Sequence, residues 1–347
     1  MVAYDVRQHT LTSNSEALLF APPPNLNRRQ FILVLAGMAC LPMLPGCSFE
    51  QKPLRIGLHV WPGYEPTPLA ASMGWLDQNL IKLTQTKAAT DSLRLLQSGK
   101  LDGAGLTLDE VLRARDMGIE LSVVLICDIS AGADMFLVRP HIHTLADIKG
   151  VKIGVEDGAL GALMLTQVLR AAQLKQEDII PVSLSVDQQV NAWRNNQIDA
   201  VVTYQPAANE IITMGGVRLF DSSNLPDLIV DTLAIRTASL DSVHSDAVHH
   251  LVSAHLKGLE HINSNPEDAA YRMASRLNLP PENVMATFKG MVLPDLENNI
   301  RLIATSKPVI QNSATVISDA MLKSGILHKP AKLDGLLHPE YLPTSPR

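Results

Sequence analysis

The sequence is poor in cysteine, in aromatic residues and in positive charge, and each shortage excludes a class of protein. The three cysteines, Cys40, Cys47 and Cys127, show no paired spacing, so neither a disulfide framework nor a zinc site is expected. The formal net charge is −6 without any local run of Lys and Arg, which argues against a nucleic-acid partner. Aromatic residues make up only 4% of the chain, so two of them in one short loop indicate a function for that loop.

Apolar sequence, in contrast, is plentiful. With 347 residues and 46% hydrophobic content, the chain can bury a large core, and its length predicts about two domains. We therefore expect a globular protein rather than a disordered one.

The N-terminal part has the pattern of an export segment. Residues 28–46 begin with two arginines, continue as the apolar run FILVLAGMACLPML and end in small residues, which is the order of a signal peptide. The run is too short to span a bilayer comfortably. Residues 1–27 form a polar extension that we exclude from the fold.

The end of this segment, Leu44 to Cys47 (LPGC), resembles the bacterial lipobox. The resemblance implies that Cys47 is diacylated, becomes the mature N-terminus and anchors the protein to a membrane, with residues 47–53 as a tether. The alternative is a buried helix with a chance Gly-Cys pair. Under the lipobox interpretation the protein lies in the periplasm or cell envelope, where Cys127 is a free thiol.

The stretch from Leu54 to Leu76 is predicted to form a strand, a loop and a helix. Apolar residues alternate from Leu54 to Leu58, and the loop WPGYEP that follows contains two prolines, which cannot continue a ladder. Helical spacing resumes at Leu69. In open α/β sheets, ligands bind where a strand ends and the next helix begins. The alternative is that the loop aromatics only plug the edge of a core.

After the tether, strand and helix signals alternate as far as about residue 235, which predicts an α/β fold. Small and acidic residues fall repeatedly at strand ends, as in residues 128–134 and 156–161. From Ser245 onward the pattern is nearly all helical.

The segments WPGYE, LQSGKLDGAGLT, DISAGAD, LADIKGVKIGVEDGALG and QIDAVVTYQPAANEI occur in an order that resembles the solute-binding proteins of ABC importers. The group that is most similar comprises the binders of nitrate, sulfonates, taurine and thiamine-pyrimidine precursors. The resemblance covers Leu54 to Leu342. It implies a type II periplasmic-binding-protein fold, with two α/β lobes that close over a ligand by a hinge motion. Residues 54–139 with 232–347 would form lobe 1, and residues 140–231 would form lobe 2.

The same resemblance implies a monomer that binds a small molecule and docks on an ABC permease, without catalytic residues, metal or cofactor. Its motifs place the ligand-binding residues at strand ends and helix starts of both lobes. They are Trp61, Gly63, Tyr64, Glu65, Asp91, Ser92, Thr107, Ser130, Ala133, Asp134, Glu156, Leu160, Thr203 and Tyr204.

The charges of these loops indicate the chemistry of the ligand. No Lys or Arg lies within them, whereas several carboxylates do. A desolvated anion beside carboxylates would be penalised. We therefore expect a cationic or N–H-rich ligand, such as an amine or aminopyrimidine, stacked on Trp61 or Tyr204 and paired with Glu65, Asp134 or Glu156.

Ordinary structural roles are the alternative for these acidic residues. Asp91 and Asp109 occupy positions where an acid caps a helix, and capping is favoured over ligand contact for both. Asp157 has the pattern of a turn residue. For Glu65, Asp134 and Glu156, ligand contact and an ordinary surface position are about equally favoured.

An enzyme is the main rival function. The pyrimidine synthase of thiamine biosynthesis shares the implied fold, but its cysteine-rich iron motif has no counterpart here. The histidines from His244 to His261 are spaced for a solvated helix rather than for metal chelation. A third possibility is a lipoprotein that passes a ligand signal to a membrane sensor instead of a permease.

Overall fold

The computed structural model describes residues 52–156, 159–323 and 325–344. The N-terminal extension, the signal peptide and the lipidation site at Cys47 lie outside the described residues, as does most of the tether. Within the described residues, none of the helices combines the length and the apolar character needed to cross a membrane.

In the described part of the chain, eleven strands form two separate sheets. The strands are β1 (Leu54–Leu58), β2 (Ile81–Gln85), β3 (Gly103–Thr107), β4 (Leu121–Ser130), β5 (Met135–Val138), β6 (Lys152–Val155), β7 (Ile180–Ser183), β8 (Ala200–Thr203), β9 (Val217–Asp221), β10 (Val230–Arg236) and β11 (Met291–Val292). The first sheet has the order β11-β4-β10-β3-β1-β2, and the second has the order β7-β6-β8-β5-β9. We call the parts built on them the first and the second lobe.

Helices cover both sheets, so the α/β prediction is confirmed. Those of the first half are α1 (Pro66–Ser72), α2 (Ala89–Gln97), α3 (Leu108–Asp116), α4 (Ala159–Ala172), α5 (Val186–Arg194) and α6 (Ala207–Thr213). Those of the second half are α7 (Ser245–Ser264), α8 (Pro266–Leu277), α9 (Pro281–Val284), α10 (Leu296–Ile303) and α11 (Val309–Lys323). Short 3-10 turns connect several of them, including Pro62–Tyr64 in the WPGYE loop.

Parallel pairing brings strand ends of each lobe together. In the first lobe β1 runs parallel to β3, and in the second β6 runs parallel to β8. The carboxyl ends of parallel strands meet at one edge of a sheet, where ligands of α/β proteins bind. The residues that follow β1, β3, β6 and β8 are therefore neighbours at the sheet edges.

The lobe boundary lies earlier in the chain than the sequence predicted. The strand β5 pairs with β8 and β9 of the second sheet, although residues up to 139 were expected in lobe 1. The return also comes earlier, because β10 begins at Val230 and pairs with β3 and β4. The chain thus changes sheets at residues 131–134 and 222–229. Both predicted boundaries are wrong because a strand pattern does not identify its pairing partner.

The two crossing segments are tied to each other by hydrogen bonds. Ser130 Oγ lies 2.7 Å from Ser222 Oγ, and the Ser222 hydroxyl accepts a hydrogen bond of 2.7 Å from the Gly132 N–H. The Ser222 N–H in turn donates to the Asp134 carbonyl over 2.9 Å. Ser130, an expected ligand contact, is engaged in this junction.

Candidate ligand-binding site

A small cavity of ≈ 10 Å³, about the room of one water molecule, lies between the lobes. The first lobe contributes residues that follow β1 or begin α2 and α3, together with the start of β10, and the second lobe contributes the ends of β6 and β8. The lining residues are His59, Trp61, Ala89, Thr107, Glu110, Asp134, Glu156, Leu160, Tyr204 and Asp231. Six of the sequence-predicted residues therefore meet at this cavity, namely Trp61, Thr107, Asp134, Glu156, Leu160 and Tyr204.

Two aromatic rings form one wall of the cavity. The rings of Trp61 and Tyr204 pack edge to face, with their centroids 5.3 Å apart and their planes at 86°. The indole N–H of Trp61 donates a hydrogen bond of 2.8 Å to Asp128 Oδ2. Gly63 permits this arrangement, since a Cβ there would lie 1.6 Å from the same oxygen. The WPG turn therefore holds the indole against Asp128 and beside the cavity.

The first lobe places two carboxyl groups in the lining, and sequence reasoning missed both. Glu110 lies in the first turn of α3, and its Oε2 accepts a hydrogen bond of 2.9 Å from the Thr107 N–H, so it combines a helix cap with a cavity position. Asp231 lies on the central strand β10 and accepts a hydrogen bond from the Tyr64 hydroxyl. Burial raises the pKa of Glu110 and of Asp231 well above the usual range, and Asp128, the cross-strand partner of Asp231, raises the latter further.

The second lobe and the crossing segment that leads into it contribute two more carboxyl groups. Asp134 is 2% exposed, and its Oδ2 accepts no hydrogen bond from any described residue. Burial raises the pKa of Asp134 to about 7. Glu156 follows β6, and its Oε1 accepts a hydrogen bond of 2.9 Å from the Thr90 hydroxyl of the first lobe. The carboxylate of Glu156 therefore already spans the boundary between the lobes.

His59 lines the cavity as a neutral ring. Burial and the nearby Arg276 lower its pKa to about 3, so the imidazole carries no charge at neutral pH. Its Nδ1 has no hydrogen-bond partner among the described residues, and its ring packs at an angle of 83° on Tyr64. The histidine thus offers a polar atom without adding a positive charge.

Glu65 does not reach the cavity, in contrast to the expectation that it pairs with the ligand. Arg276 Nε donates to its Oε1 over 2.7 Å, and the Glu65 side chain is only 1% exposed. The same guanidinium donates to the carbonyl oxygens of Leu58 (3.2 Å) and His59 (3.0 Å). Glu65 is therefore the internal counter-charge of an arginine that caps the end of β1.

Several other expected contacts are also engaged elsewhere. Asp91 forms an ion pair with Arg94 on the surface of α2, and Ser92 Oγ lies 2.7 Å from Thr86 Oγ1. Of the remaining expected residues, the ones buried outside the cavity lining are Gly63, Tyr64, Ser130, Ala133 and Thr203.

The residues that the sequence did not indicate are His59, Ala89, Glu110 and Asp231. His59 directly follows the strand that was predicted, so its position was a usable signal. Asp231 was not separable from an ordinary strand residue, because its partner strands are distant in the sequence.

The cavity carboxyls are not arranged as metal ligands. Among the described residues, no three side chains of His, Cys, Asp or Glu are grouped so that they could hold a metal ion. His255 is buried, with its Nδ1 2.9 Å from Thr67 Oγ1. Cys127 is 1% exposed, and burial raises the pKa of its thiol well above the usual range.

Comparison with known proteins identifies a matching family. A family model described as NMT1/THI5 like matches residues 61–269. A putative binding protein of Brucella abortus (strain 2308) is 24% identical over 279 residues, which cover 76% of this chain and 83% of that protein. The family match includes every lining residue from Trp61 to Asp231.

Solved structures share the fold. The alkanesulfonate-binding protein SsuA from Xanthomonas axonopodis pv. citri bound to MOPS has a TM-score of 0.69 at 19% identity, covering 83% of this chain and 99% of that chain. The desulfurization enzyme DSZB has a TM-score of 0.58 at 15% identity, covering 83% and 97%. The chain therefore has the α/β fold of periplasmic solute-binding proteins, a fold that at least one enzyme also uses.

Proposed function

Since the chain belongs to the NMT1/THI5-like family, we propose that it is an extracytoplasmic solute-binding protein of an ABC importer. It captures a small cationic, N–H-rich molecule, such as an amine or aminopyrimidine, between its lobes. Closure of the lobes over this ligand produces the form that a permease recognises.

The acidity of the cavity carries this proposal. Glu110, Asp134, Glu156 and Asp231 line it, and no Lys or Arg stands among the described lining residues. Buried carboxylates without a counter-charge are costly, so they either keep protons or pair with a cation. An incoming ammonium or protonated ring nitrogen can donate to Asp134, whose Oδ2 accepts no hydrogen bond from any described residue.

The aromatic wall supports the same class of ligand. Trp61 and Tyr204 present π-systems beside the carboxyl groups. A cation close to an aromatic face is stabilised by about 0.5–2 kcal/mol, and the effect is larger where water is excluded. A flat heterocycle with an exocyclic amine or a short alkylamine uses both features.

A sulfonate is disfavoured, although a protein of similar fold is named as an alkanesulfonate binder. Sulfonates are anionic across the ordinary pH range and need donors such as helix N-termini or basic side chains. Here the anion would share a cavity with four carboxyl groups. Binding would require each nearby carboxyl to retain its proton.

The burial of the Cys127 thiol favours a binding function over a catalytic one. The fold permits an enzyme, as DSZB illustrates, but Cys127 is buried and is not among the lining residues. A thiol whose pKa is raised by burial is a poor nucleophile. We accordingly assign no catalytic residue.

Export and anchoring complete the proposal. The signal peptide at residues 28–46 would direct the chain out of the cytoplasm, and acylated Cys47 would hold it on a membrane beside the permease. The described lobes then act as a tethered, monomeric receptor.

A thermal-shift screen of the purified protein tests the ligand class. We expect amines and aminopyrimidines to raise the melting temperature, with a ligand at 100 times its Kd adding about 2.7 kcal/mol of stability. Taurine and simple alkanesulfonates should leave it unchanged. Stabilisation by an alkanesulfonate without any by an amine would refute the cationic ligand. The matched control is Asp134→Asn, which should weaken the amine response while the protein remains folded.

A further inference from the structure

A surface groove lies on the first lobe, apart from the cavity between the lobes. Its volume of ≈ 370 Å³ is within the range of small-molecule sites, whereas the interlobe cavity has only ≈ 10 Å³. The groove is formed by α1, the end of β2 and α8, and α8 packs on α1 and α7, so the whole groove belongs to one lobe. Its lining includes Leu69, Gln85, Arg272, Met273, Ser275 and Arg276.

The groove carries positive charge. Arg272 and Arg276 lie one turn apart on α8 and both line it, and no Asp or Glu stands among its described lining residues. Like charges at this helical spacing repel each other. The ion-pair partners of the two arginines, Asp268 and Glu65, are not part of the lining, and Glu65 is only 1% exposed. The groove therefore presents two cations without an anion inside it.

Several donors in the groove have no acceptor. Arg272 donates to Asp268 over 2.8 Å through Nε alone, so its two terminal nitrogens are without an acceptor among the described residues. Gln85 accepts from Arg276 through its side-chain oxygen, and its amide nitrogen donates to no described residue. The same holds for the hydroxyl of Ser275. Unused N–H and O–H donors around a positively charged groove match an oxyanion.

We propose that this groove binds a small organic anion whose carboxylate or phosphate end is held by the terminal nitrogens of Arg272. The planar fork of arginine matches two oxygens of such a group. Leu69 and Met273, each 2% exposed, form an apolar floor for the rest of the molecule. The inference goes beyond the proposed function and does not depend on it.

Arg272, rather than Arg276, captures the anion. All three nitrogens of Arg276 already donate, to Glu65, to Gln85 and to two carbonyl oxygens at the end of β1. The side chain of Arg272 is also more exposed, at 37% against 16% for Arg276. Its bond to Asp268 survives binding, because that bond uses Nε alone. The anion thus adds hydrogen bonds to Arg272 without breaking one.

Methyl NMR of the purified protein reports binding at the groove itself. With carbon-13 in the methionine methyl groups, Met273 is the local probe, assigned with Met273→Leu, and Met164, buried in the second lobe, is the internal reference. The titration compares butyrate with butyramide, which lacks the charge, and uses butyl phosphate as a second anion. An ionic strength of about 0.01 M keeps exposed charges weakly screened. We expect at least one of the anions to shift the Met273 signal to saturation, and butyramide to leave it unchanged.

Variants separate capture by Arg272 from general attraction of anions. Arg272→Gln should weaken binding of the anion by about five-fold or more, because the charged hydrogen bonds are lost. Arg272→Lys keeps the charge without the fork and should recover only part of that loss. The matched control is Arg301→Gln on α10, since Arg301 also pairs with a carboxylate four residues earlier, Glu297. Its affinity should stay within about two-fold of the unmodified protein.

Three results would overturn the anion site. The first is a Met273 signal that neither anion shifts. The second is a shift that butyramide produces as readily as the anions, and the third is an equal loss of affinity in Arg272→Gln and Arg301→Gln. Melting temperatures of the variants report whether each is folded.

The groove and the interlobe cavity can be tested independently. Because the groove lies on one lobe, saturating the protein with an amine that binds should change the affinity for the anion by less than about two-fold. An anion that the amine displaces occupies the interlobe cavity, and the groove assignment is then wrong. A protein that binds the anion but no amine contradicts the proposed function and leaves the groove assignment intact.

Discussion

Arg276 illustrates how one residue organises the end of a strand. Its guanidinium donates to Glu65, to Gln85 Oε1 over 2.9 Å and to two carbonyl oxygens at the end of β1. Its side chain is 16% exposed, so these bonds form in a poorly hydrated environment. Burial raises the pKa of Glu65 to about 7, while Arg276 opposes that rise.

Replacing Arg276 tests this assignment. In Arg276→Gln, Glu65 loses its counter-charge, and we expect the free energy of unfolding to fall by about 2–3 kcal/mol. Removing one partner of a buried ion pair usually costs about 3–5 kcal/mol. The loss is smaller here because the Glu65 carboxyl can take up a proton. Urea unfolding at about pH 8 and about pH 6 measures it, with the larger loss at the higher pH. The matched control is Arg272→Gln, one turn earlier on α8, whose partner Asp268 is exposed. Equal losses for the two variants would contradict the assignment.

The same residues show what the sequence could predict about the site. Trp61 follows a strand with a clear period-2 pattern, and a strand end is a local feature, so its cavity position was predictable. Glu65 was assigned to the ligand because its partner Arg276 lies 211 residues further along the chain. No local pattern connects these two positions.

At the scale of elements, α1 and α7 approach each other closely at Gly258, where no side chain separates the two backbones. A Cβ on Gly258 of α7 would lie 2.0 Å from the carbonyl oxygen of Pro66, the first residue of α1. Glycine thus permits a backbone approach that the two helices require. The WPGYE loop enters α1 directly, so this packing also supports the loop.

Gly258→Ala tests the helix contact. The added methyl group must push the helices apart, which costs about 1–3 kcal/mol, while the better helix propensity of alanine returns about 0.5–1 kcal/mol. We therefore expect a lower denaturation midpoint in urea. Ser253→Ala on the exposed face of the same helix controls for propensity. A midpoint for Gly258→Ala at or above that of the control would show that the helices tolerate the methyl group.

The positions of strands and helices were predicted better than the pairing of the strands. The alternation of strands and helices was visible in the sequence, and the structure confirms it. The assignment of β5 to the first lobe was wrong, because MFLV has the pattern of a buried strand in either sheet. Pairing depends on contacts such as Met135 with Thr203, which are far apart in the chain.

At the scale of the whole molecule, the buried carboxyls determine how stability responds to pH. Burial raises the pKa of Asp128 to about 8 and those of Asp134 and Glu65 to about 7. In the unfolded chain such groups titrate near pH 4. A raised folded pKa means that the folded state holds the proton longer, so this stabilisation is present at low pH and lost as pH rises through the folded pKa.

Two buried histidines have the opposite effect on stability, because they destabilise the fold as the pH is lowered. Burial lowers the pKa of His59 and of His255 to about 3. Below about pH 6.5 the unfolded chain protonates these rings and the folded protein does not, so they destabilise the fold there. Above that pH both histidines are neutral in either state, and the carboxyls alone control the slope.

We therefore expect the ligand-free protein to lose stability as the pH rises from about 6.5 to about 8. Urea midpoints at constant ionic strength measure the slope, and Asp134→Asn should flatten it by removing one titrating group. A cationic ligand favours the carboxylate form, so the increase in melting temperature that it produces should grow over the same interval. A ligand-free midpoint that stays flat across this interval would mean that these buried carboxyls are already ionised in the folded protein at the lower pH.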